Sequence, residues 1–294
     1  MPTSISADAP LGGSETVLTE GWELLLTRPG LVDVPERLPE SGFVPALVPG
    51  TVASALRALG RSPLDSPQDF DAQDAWYRCR LDRPPVTEGT RLRLCFDGLA
   101  SLADVFLNGV RILASDSMFV RHAVDVTDRL GASNELAIRF RALGPELKLK
   151  KPRPRWRTKL VEQQQLRFFR TTLLGRTPGF CPPVAPVGPF RPVRLELSQR
   201  VFVRVQELRS RVDAGVGVVL TRARLQLSGG TRVASASLLV GGRAAPLSVS
   251  AGPGEEVDGR RRPPPNGHQF VSRWRRGGIG AILAPGSPVR NDPL

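Results

Sequence analysis

Alternation of apolar and polar residues with a period of two dominates the first half of the chain. Ala75, Tyr77, Cys79 and Leu81 occupy every second position, and leucines alternate with arginines from Arg91 to Phe96. Side chains on a strand point to opposite faces in turn, so both patterns predict half-buried antiparallel strands. We therefore expect an all-β fold in this part of the chain.

Turn and cap residues divide this β region. Leu107-Asn108-Gly109-Val110 predicts a two-residue type I′ hairpin, because Asn and Gly tolerate the positive φ angles that this turn requires. Thr51 is the expected N-cap of a short amphipathic helix that ends before Gly60. We expect an opening strand over 22–27 and a closing strand over 193–197.

A second series of β patterns starts at Val201. The predicted strands cover 201–205, 216–227, 233–240 and 247–250. They indicate an immunoglobulin-like sandwich, which normally needs about seven strands, so this domain is expected to be incomplete. After Ala251 the chain is rich in Gly, Pro and Arg without periodicity, and we expect loop or disorder there.

Length and composition limit the class of protein. A chain of 294 residues, 40% of them hydrophobic, suggests about two domains with real cores. No apolar run reaches the roughly 18 residues of a membrane span, and residues 1–14 lack the features of a secretory signal. The three cysteines, Cys79, Cys95 and Cys181, fit reduced thiols better than a disulfide framework. We therefore expect a cytoplasmic protein without a membrane partner.

The net charge of +13 is unevenly distributed. Residues 1–140 have a net charge of −6, whereas residues 141–211 contain 17 Lys or Arg against four Asp or Glu. Such a block is compatible with nucleic-acid binding, but the arginine fork also recognises sugar hydroxyls and carboxylates. No nucleic-acid reading motif accompanies the cations, so we expect polyanion binding without sequence specificity.

Carboxylate and histidine patterns do not predict a catalytic centre. Glycoside hydrolysis needs two facing carboxyl groups, whereas Glu162, Glu196 and Glu207 are isolated in the sequence. Histidine bases are limited to His122, for which a structural role is preferred, and His268 in the tail. The motifs of serine hydrolases and nucleotide-binding loops are also missing. We predict no catalytic residue and no cofactor.

The densest acidic cluster is formed by Asp69, Asp71 and Asp74. Oxygen ligands could hold Ca²⁺, but the run lacks the Gly and Glu that an EF-hand loop requires at fixed positions. We prefer a turn that leads into the strand at Trp76-Tyr77, and we predict no metal site.

The β region contains a set of spaced motifs: Val48-Pro49-Gly50-Thr51-Val52, Asp97-Gly98-Leu99, Val105-Phe106-Leu107-Asn108-Gly109, His122, Asp125-Val126-Thr127 and Asn134-Glu135-Leu136. In this order they resemble the sugar-binding domain of glycoside hydrolase family 2, and in particular its β-mannosidase-like members. The resemblance implies a jelly-roll, galactose-binding-like sandwich, followed by an immunoglobulin-like sandwich and then, in relatives, a catalytic barrel. On this resemblance we expect the chain to end before the barrel begins, and we expect the missing barrel to be the intramolecular partner that the domain has in relatives.

The same resemblance implies which residues contact a sugar. In the family, a long loop before the closing strand places an Arg and a Trp-Asp pair at the sugar subsite. Arg170 is the best match to the loop Arg and Arg167 is the competitor, while Gly179-Phe180-Cys181-Pro182 replaces the Trp-Asp segment, which puts mannose specificity in doubt. Asp74 is a weaker candidate. Phe180 and Arg176 complete the predicted substrate-binding set, and a purely structural role for the Arg-rich loop is the alternative.

These observations give a specific prediction for the whole chain. The jelly-roll domain is expected to span 15–199, a partial immunoglobulin-like sandwich 200–255, and an irregular tail 256–294. We predict the non-catalytic N-terminal portion of a β-mannosidase-like glycoside hydrolase, truncated or degenerate, whose partner is a carbohydrate. The alternatives are a stand-alone carbohydrate-binding module or a basic nucleic-acid-binding protein.

Overall fold

The structure is a computed structural model of the chain. It describes residues 3–5, 14–61, 64–152, 157–177, 179–198, 201–213, 216–227, 233–240, 243–247, 273–274 and 279–285. His268, considered above as a histidine base, lies outside the described residues, as do residues 153–156 of the Arg-rich loop. Contacts divide the chain into one unit of Thr16–Pro85 with Arg93–Leu195 and a second that contains Glu196–Leu294.

The described residues are mainly β-strands. The strands are β1 (Thr3–Ile5), β2 (Ser14–Val17), β3 (Glu23–Thr27), β4 (Val44–Pro45), β5 (Asp74–Asp82), β6 (Arg91–Phe96), β7 (Ala103–Leu107), β8 (Val110–Ser115), β9 (His122–Asp125), β10 (Ser133–Phe140), β11 (Val193–Ser198), β12 (Val201–Asp213), β13 (Val216–Leu227), β14 (Val233–Val240), β15 (Arg243–Leu247), β16 (Arg273–Trp274) and β17 (Ile279–Pro285). The α-helices are α1 (Val52–Ala58) and α2 (Leu143–Lys148), and short 3-10 helices span Pro35–Arg37, Phe70–Ala72 and Gln164–Phe168.

Two antiparallel sheets form the jelly roll. The larger sheet has the strand order β4-β3-β5-β10-β7-β8, and the smaller has the order β2-β11-β6-β9. Strands β7 and β8 are joined at Asn108 and Gly109, with φ angles of 51° and 80°, as the predicted type I′ turn requires. The all-β sandwich expected from the sequence is confirmed.

The core of the jelly roll uses the predicted apolar positions. Leu92, Leu94 and Phe96 of β6 are fully buried, as are Tyr77 of β5 and Phe140 of β10. The Tyr77 and Phe140 rings meet edge to face with centroids 5.6 Å apart, a favoured aromatic geometry. Burial also raises the pKa of the Tyr77 hydroxyl, so this tyrosine stays neutral.

The first four residues of strand β5 are buried on both faces, whereas its second half keeps the alternation that the sequence predicts. Trp76, on the face opposite Tyr77, is 0% exposed. It packs in a cluster with Val32, Phe106 and Ala137, against Leu25 and Leu38. The chain segment around Val32 covers this face of β5. An alternating pattern within the strand gives no information about such a covering segment.

Helix α1 begins as its sequence predicts. The amide of Ser54 donates to Thr51 Oγ1 at 3.3 Å, and the amide of Thr51 donates to Ser54 Oγ at 2.7 Å. This reciprocal capping box satisfies two amides at the helix start. Gly60 follows the helix with a φ of +74°, a conformation that suits glycine.

The second unit contains more strands than the sequence indicated. Its two sheets have the orders β1-β17-β14-β15 and β12-β13-β16, and Val219 and Leu238, one from each sheet, pack together with Leu247. Seven strands are therefore present among the described residues, the number typical of an immunoglobulin-like sandwich.

The expectation of an irregular tail over 256–294 is wrong for the seven residues of β17. This strand pairs along β14 from Val240↔Ile279 to Val233↔Pro285. A short Gly- and Ala-containing strand has little periodicity of its own, so pairing with β14 rather than local pattern defines it. Residues 248–250, assigned to a strand from the sequence, lie outside the described residues. In the described part of the chain, no helix has the length and apolarity to cross a membrane.

Candidate functional site

The predicted sugar-contacting loop lies between β10 and β11. We call residues 143–190 the excursion loop. Its first part folds on a small core of its own, in which Leu143 and Leu147 of α2 pack with Leu166 and with Leu102. The loop is therefore a folded part of the jelly roll, although the sequence shows little regular pattern there.

The side-chain amide of Gln164 shapes the middle of this loop. Gln164 Nε2 donates to the carbonyl oxygens of Thr158 and Val161 at 2.7 and 2.8 Å, and Gln164 Oε1 accepts from the amide of Thr158 at 3.2 Å. Arg167 points into the same group: its Nε donates to the Gln164 carbonyl at 2.6 Å. Arg167 thus contributes to loop structure in this conformation.

Arg170, the first-choice sugar contact, is fixed through its backbone and free in its side chain. The Met118 amide donates to the Arg170 carbonyl at 3.0 Å, and the Thr172 amide donates to Met118 Sδ at 3.0 Å. The guanidinium is exposed and makes no ion pair or hydrogen bond within the described residues. Its five donors remain available to a ligand.

Arg176 has the opposite environment. Its Nε and Nη2 donate to the two carboxylate oxygens of Asp71 at 2.6 and 2.7 Å, and Nη1 donates to the Thr172 carbonyl at 2.9 Å. The Arg176 and Asp71 side chains are 7% and 11% exposed. This bidentate ion pair ties the excursion loop to the 3-10 helix that precedes β5, so Arg176 positions the loop in this structure.

Phe180 lies on an exposed turn that follows. Its side chain is 77% exposed, and Leu173 and Leu174 are 52% and 65% exposed. The turn is closed by Cys181, whose Sγ accepts from the amide of Gly175 at 3.0 Å. Gly175 has a φ of +76°, and a Cβ there would lie 2.2 Å from the Val184 carbonyl oxygen. Glycine is therefore required for this turn.

Asp74 is committed to partners inside the fold. Its Oδ2 accepts from Arg139 Nη2 at 2.7 Å and from the Gly30 amide at 3.0 Å, and Oδ1 accepts from the Ala142 amide at 2.7 Å. The residue is 1% exposed. In this conformation Asp74 holds β5, β10 and the residues after β10 together, and the predicted sugar contact is not accessible.

The acidic cluster does not converge on one point. Asp69 accepts from the backbone amide of Asp71 as the cap of a 3-10 helix, whereas Asp71 and Asp74 pair with different arginines. Within the described ranges, no group of three His, Cys, Asp or Glu side chains is arranged to hold a metal ion. The turn interpretation of this segment agrees with its short 3-10 helix.

His122 has a structural partner, as its sequence context predicts. Its Nε2 lies 3.0 Å from Ser115 Oγ, which joins β9 to β8. Burial lowers the pKa of the imidazole, and the charge of Asp116 opposes that effect. Burial also disfavours the charged form of Cys79: burial, and after it the charge of Glu135, raise the pKa of this thiol to about 12. The thiol is therefore unreactive.

A separate cleft of about 380 Å³ opens on the face of the larger sheet that contains Trp76. It is lined by Asp33, Val34, Asp104, Phe106, Gly109, Arg111 and Arg139. Its charges are largely paired: Arg139 binds Asp74, and Arg111 Nη1 donates to Asp104 Oδ1 at 3.2 Å. The lining includes none of the five predicted site residues.

The geometry thus separates the predicted residues. The side chains of Arg170 and Phe180 are exposed on the excursion loop and available to a ligand. The side chains of Arg176, Arg167 and Asp74 stabilise the fold. Sequence reasoning missed Asp71 as the partner of Arg176, because these residues are 105 positions apart and no local pattern links them.

Comparison with known proteins assigns the family. Residues 33–191, more than half of the chain, match the model of the glycosyl hydrolase 2 galactose-binding domain-like family. The chain belongs to this family. The matched range contains strands β4 to β10 of the jelly roll and the whole excursion loop, so the family 2 resemblance seen in the sequence is confirmed.

Curated relatives of this family 2 chain are β-mannosidases. It is 38% identical over 125 residues to β-mannosidase B of Thermothelomyces thermophilus, a match that covers 41% of this chain and 14% of that protein. Rat β-mannosidase is 33% identical over 107 residues, covering 34% of this chain and 12% of the relative. The matches cover only the N-terminal part of these much longer proteins.

Solved structures show the same fold. The β-D-mannosidase from Dictyoglomus thermophilum superposes with a TM-score of 0.60 at 16% identity, over 92% of this chain and 31% of the other. The exo-chitosanase of Amycolatopsis orientalis gives a TM-score of 0.54 at 16% identity, over 93% and 29%. Both alignments extend well beyond residues 33–191, so the likeness in fold is not restricted to the matched family model.

Proposed function

We propose that this family 2 chain is a non-catalytic, sugar-facing module of a β-mannosidase-like glycoside hydrolase, and that Arg170 and Phe180 contact a β-mannoside or related glycoside. The observation that supports this function is the exposed guanidinium of Arg170, unpaired within the described residues, on a loop anchored by the Arg176–Asp71 ion pair. Specific binding is favoured when the donor group is free and the loop that carries it is already held in place.

The chemistry of the two residues suits a sugar. A guanidinium offers planar, paired donors to adjacent hydroxyls. An exposed aromatic ring packs on the C–H face of a pyranose and removes apolar surface from water. The loop lacks a carboxylate at this point, because Gly179-Phe180-Cys181-Pro182 contains no acid, so we propose a glycoside in general rather than mannose alone.

The proposed role is non-catalytic because the two buried carboxylates near the loop are already engaged and Glu162, on the loop, is isolated from other acids in the sequence. Asp71 and Asp74 are each bound to an arginine, and a retaining glycosidase needs two free carboxyl groups about 5 Å apart. Activity of the relatives therefore stays a property of the longer proteins. We also propose that this chain binds carbohydrate and is located in the cytoplasm.

Binding of methyl β-D-mannoside, followed by saturation-transfer NMR, tests the proposal. We expect Arg170→Gln to weaken binding about tenfold, since a hydrogen bond to a charged group contributes about 1.5–3 kcal/mol. Phe180→Ala should also weaken binding, because it removes the aromatic face that packs on the sugar. The matched controls Arg80→Gln and Leu31→Ala change an exposed arginine and an exposed apolar residue elsewhere on the jelly roll, and they should bind normally.

Two results would contradict the proposal. The first is binding that survives both loop substitutions, which would place the sugar elsewhere. The second is turnover of an aryl β-mannoside by the repurified chain, because hydrolysis needs a carboxylate pair that the proposed module does not supply.

A further inference from the structure

Five cations lie on two neighbouring segments of the excursion loop. They are Lys148, Lys150 and Lys151 on the first segment, and Arg157 and Lys159 on the second. We call these five side chains the basic surface. Four of them are exposed and Lys151 is half-buried.

Adjacent glutamines hold the two segments on one support. Gln165 Nε2 donates to the carbonyl oxygen of Leu149 at 3.4 Å. Its neighbour Gln164 bonds both the amide and the carbonyl of Thr158, at 3.2 and 2.7 Å. Both glutamines belong to the 3-10 helix Gln164–Phe168. The cations are therefore displayed together by the fold and are not scattered along a free chain.

The charge of the basic surface is not neutralised locally. From Leu147 to Leu195 the sequence contains twelve Lys or Arg and a single carboxylate, Glu162. None of the five cations forms an ion pair with another described residue. Lys151 Nζ lies 4.2 Å from the centroid of the Phe169 ring, a cation–π contact that orders the side chain and leaves its charge intact. Such a concentration of like charge attracts a polyanion.

We propose that the basic surface binds an acidic polysaccharide, a glycan with repeated carboxylate or sulfate groups. Lysines act as point charges that follow a flexible anionic chain without a fixed geometry. Leu149 and Leu160, on the same two segments and 54% and 55% exposed, offer apolar contacts for sugar C–H groups. This site lies outside the set of residues given above for the glycoside, and it does not depend on that function.

Nucleic acid is the less suitable polyanion. Binding of single strands relies on free aromatic faces for base stacking. The rings adjoining the basic surface, Phe168 and Phe169, are both approached by Lys151 Nζ, at 5.7 and 4.2 Å from their centroids. The chain also belongs to a family of glycoside hydrolases, for which a polymeric sugar is the natural polyanion.

Titration of the intact chain with four polymers tests the proposal. The polymers are polygalacturonate, chondroitin sulfate, neutral galactomannan and single-stranded poly(dT), at about 150 mM salt. The test variant is Lys148→Gln with Lys150→Gln and Lys159→Gln. The matched control is Arg57→Gln with Arg61→Gln and Arg80→Gln. It removes the same charge from three exposed positions: one on α1, one just after α1 in the chain, and one on β5.

We expect the unmodified chain to bind an acidic polysaccharide in preference to galactomannan and to poly(dT). The test variant should bind it about tenfold more weakly, because three lysine contacts to anionic groups of the polymer are lost. The control variant should bind within about twofold of the unmodified chain. An equal loss of affinity in both variants would mean that binding depends on net charge alone, and it would overturn the proposal. So would preference for poly(dT), or an absence of binding. Binding of methyl β-D-mannoside should be unchanged in the test variant, so failure here is distinguishable from failure of the proposed function.

Discussion

The strands of the jelly roll and the excursion loop use charged residues in different ways. On the strands, Asp74 pairs with Arg139, and Asp104 pairs with Arg111 and Arg141. On the loop, Arg170 and the basic surface make no ion pair with the described residues. These charged groups on the strands therefore hold the fold, whereas Arg170 and the basic surface of the loop remain available for a ligand.

The difference follows from solvation. A carboxylate that is 1% exposed, such as Asp74, is stable only when hydrogen bonds and an opposite charge replace its water. An exposed guanidinium keeps its water and has no such requirement. The ion pair between Arg176 and Asp71 belongs to the first class although Arg176 is on the loop, because it is the point where the loop attaches.

The largest effect should come from Asp74→Ala. The change leaves Arg139 buried without its carboxylate and removes acceptors from the Gly30 and Ala142 amides. We expect the free energy of unfolding to fall by about 3–5 kcal/mol, the usual cost of breaking a buried pair, as measured by urea denaturation. Arg170→Gln should change the same quantity by less than about 0.5 kcal/mol. Similar values for the two variants would remove the distinction between strands and loop.

A smaller effect is expected for Asp71→Asn, which keeps the shape of the side chain and removes its charge. Hydrogen bonds to charged groups contribute about 1.5–3 kcal/mol, so we expect a loss near 2 kcal/mol. Amide hydrogen exchange should rise across residues 171–185 and stay unchanged in β5 and β10. Faster exchange throughout the jelly roll would show that the pair supports the whole fold and not the loop alone.

The smallest effect concerns pH. The pKa of His122 is lowered in the folded state by burial, so the unfolded chain takes up this proton first as pH falls below about 6.5. Stability should therefore decrease from about pH 6.5 downwards and level off below the folded pKa. His122→Gln should reduce this dependence, measured by urea denaturation between about pH 7.5 and 5. An unchanged slope in the variant would assign the pH dependence to other groups.

Much of the fold was predictable because its determinants are local. Alternation in Arg91–Phe96 identifies β6, the Asn108-Gly109 pair identifies the hairpin, and Thr51 identifies the start of α1. The predictions failed where pairing is non-local, as in β17, which is defined by its contact with β14. For the candidate site, the sequence predicted a sugar contact at Arg170 of the loop, which stays a prediction, and it did not distinguish accessible from buried arginines.

By itself, the sequence determined many of the jelly-roll strands and where the cations are concentrated, since both follow from residues close together in the chain. Only the tertiary structure decided which charges are used. Asp71 and Arg176 are 105 residues apart, and Asp74 and Arg139 are 65 apart. Whether a charge is paired depends on burial and on a partner brought near by folding. Arg170 and Arg176 are both arginines of the excursion loop. Only their three-dimensional surroundings make Arg170 available to a ligand and give Arg176 a structural role.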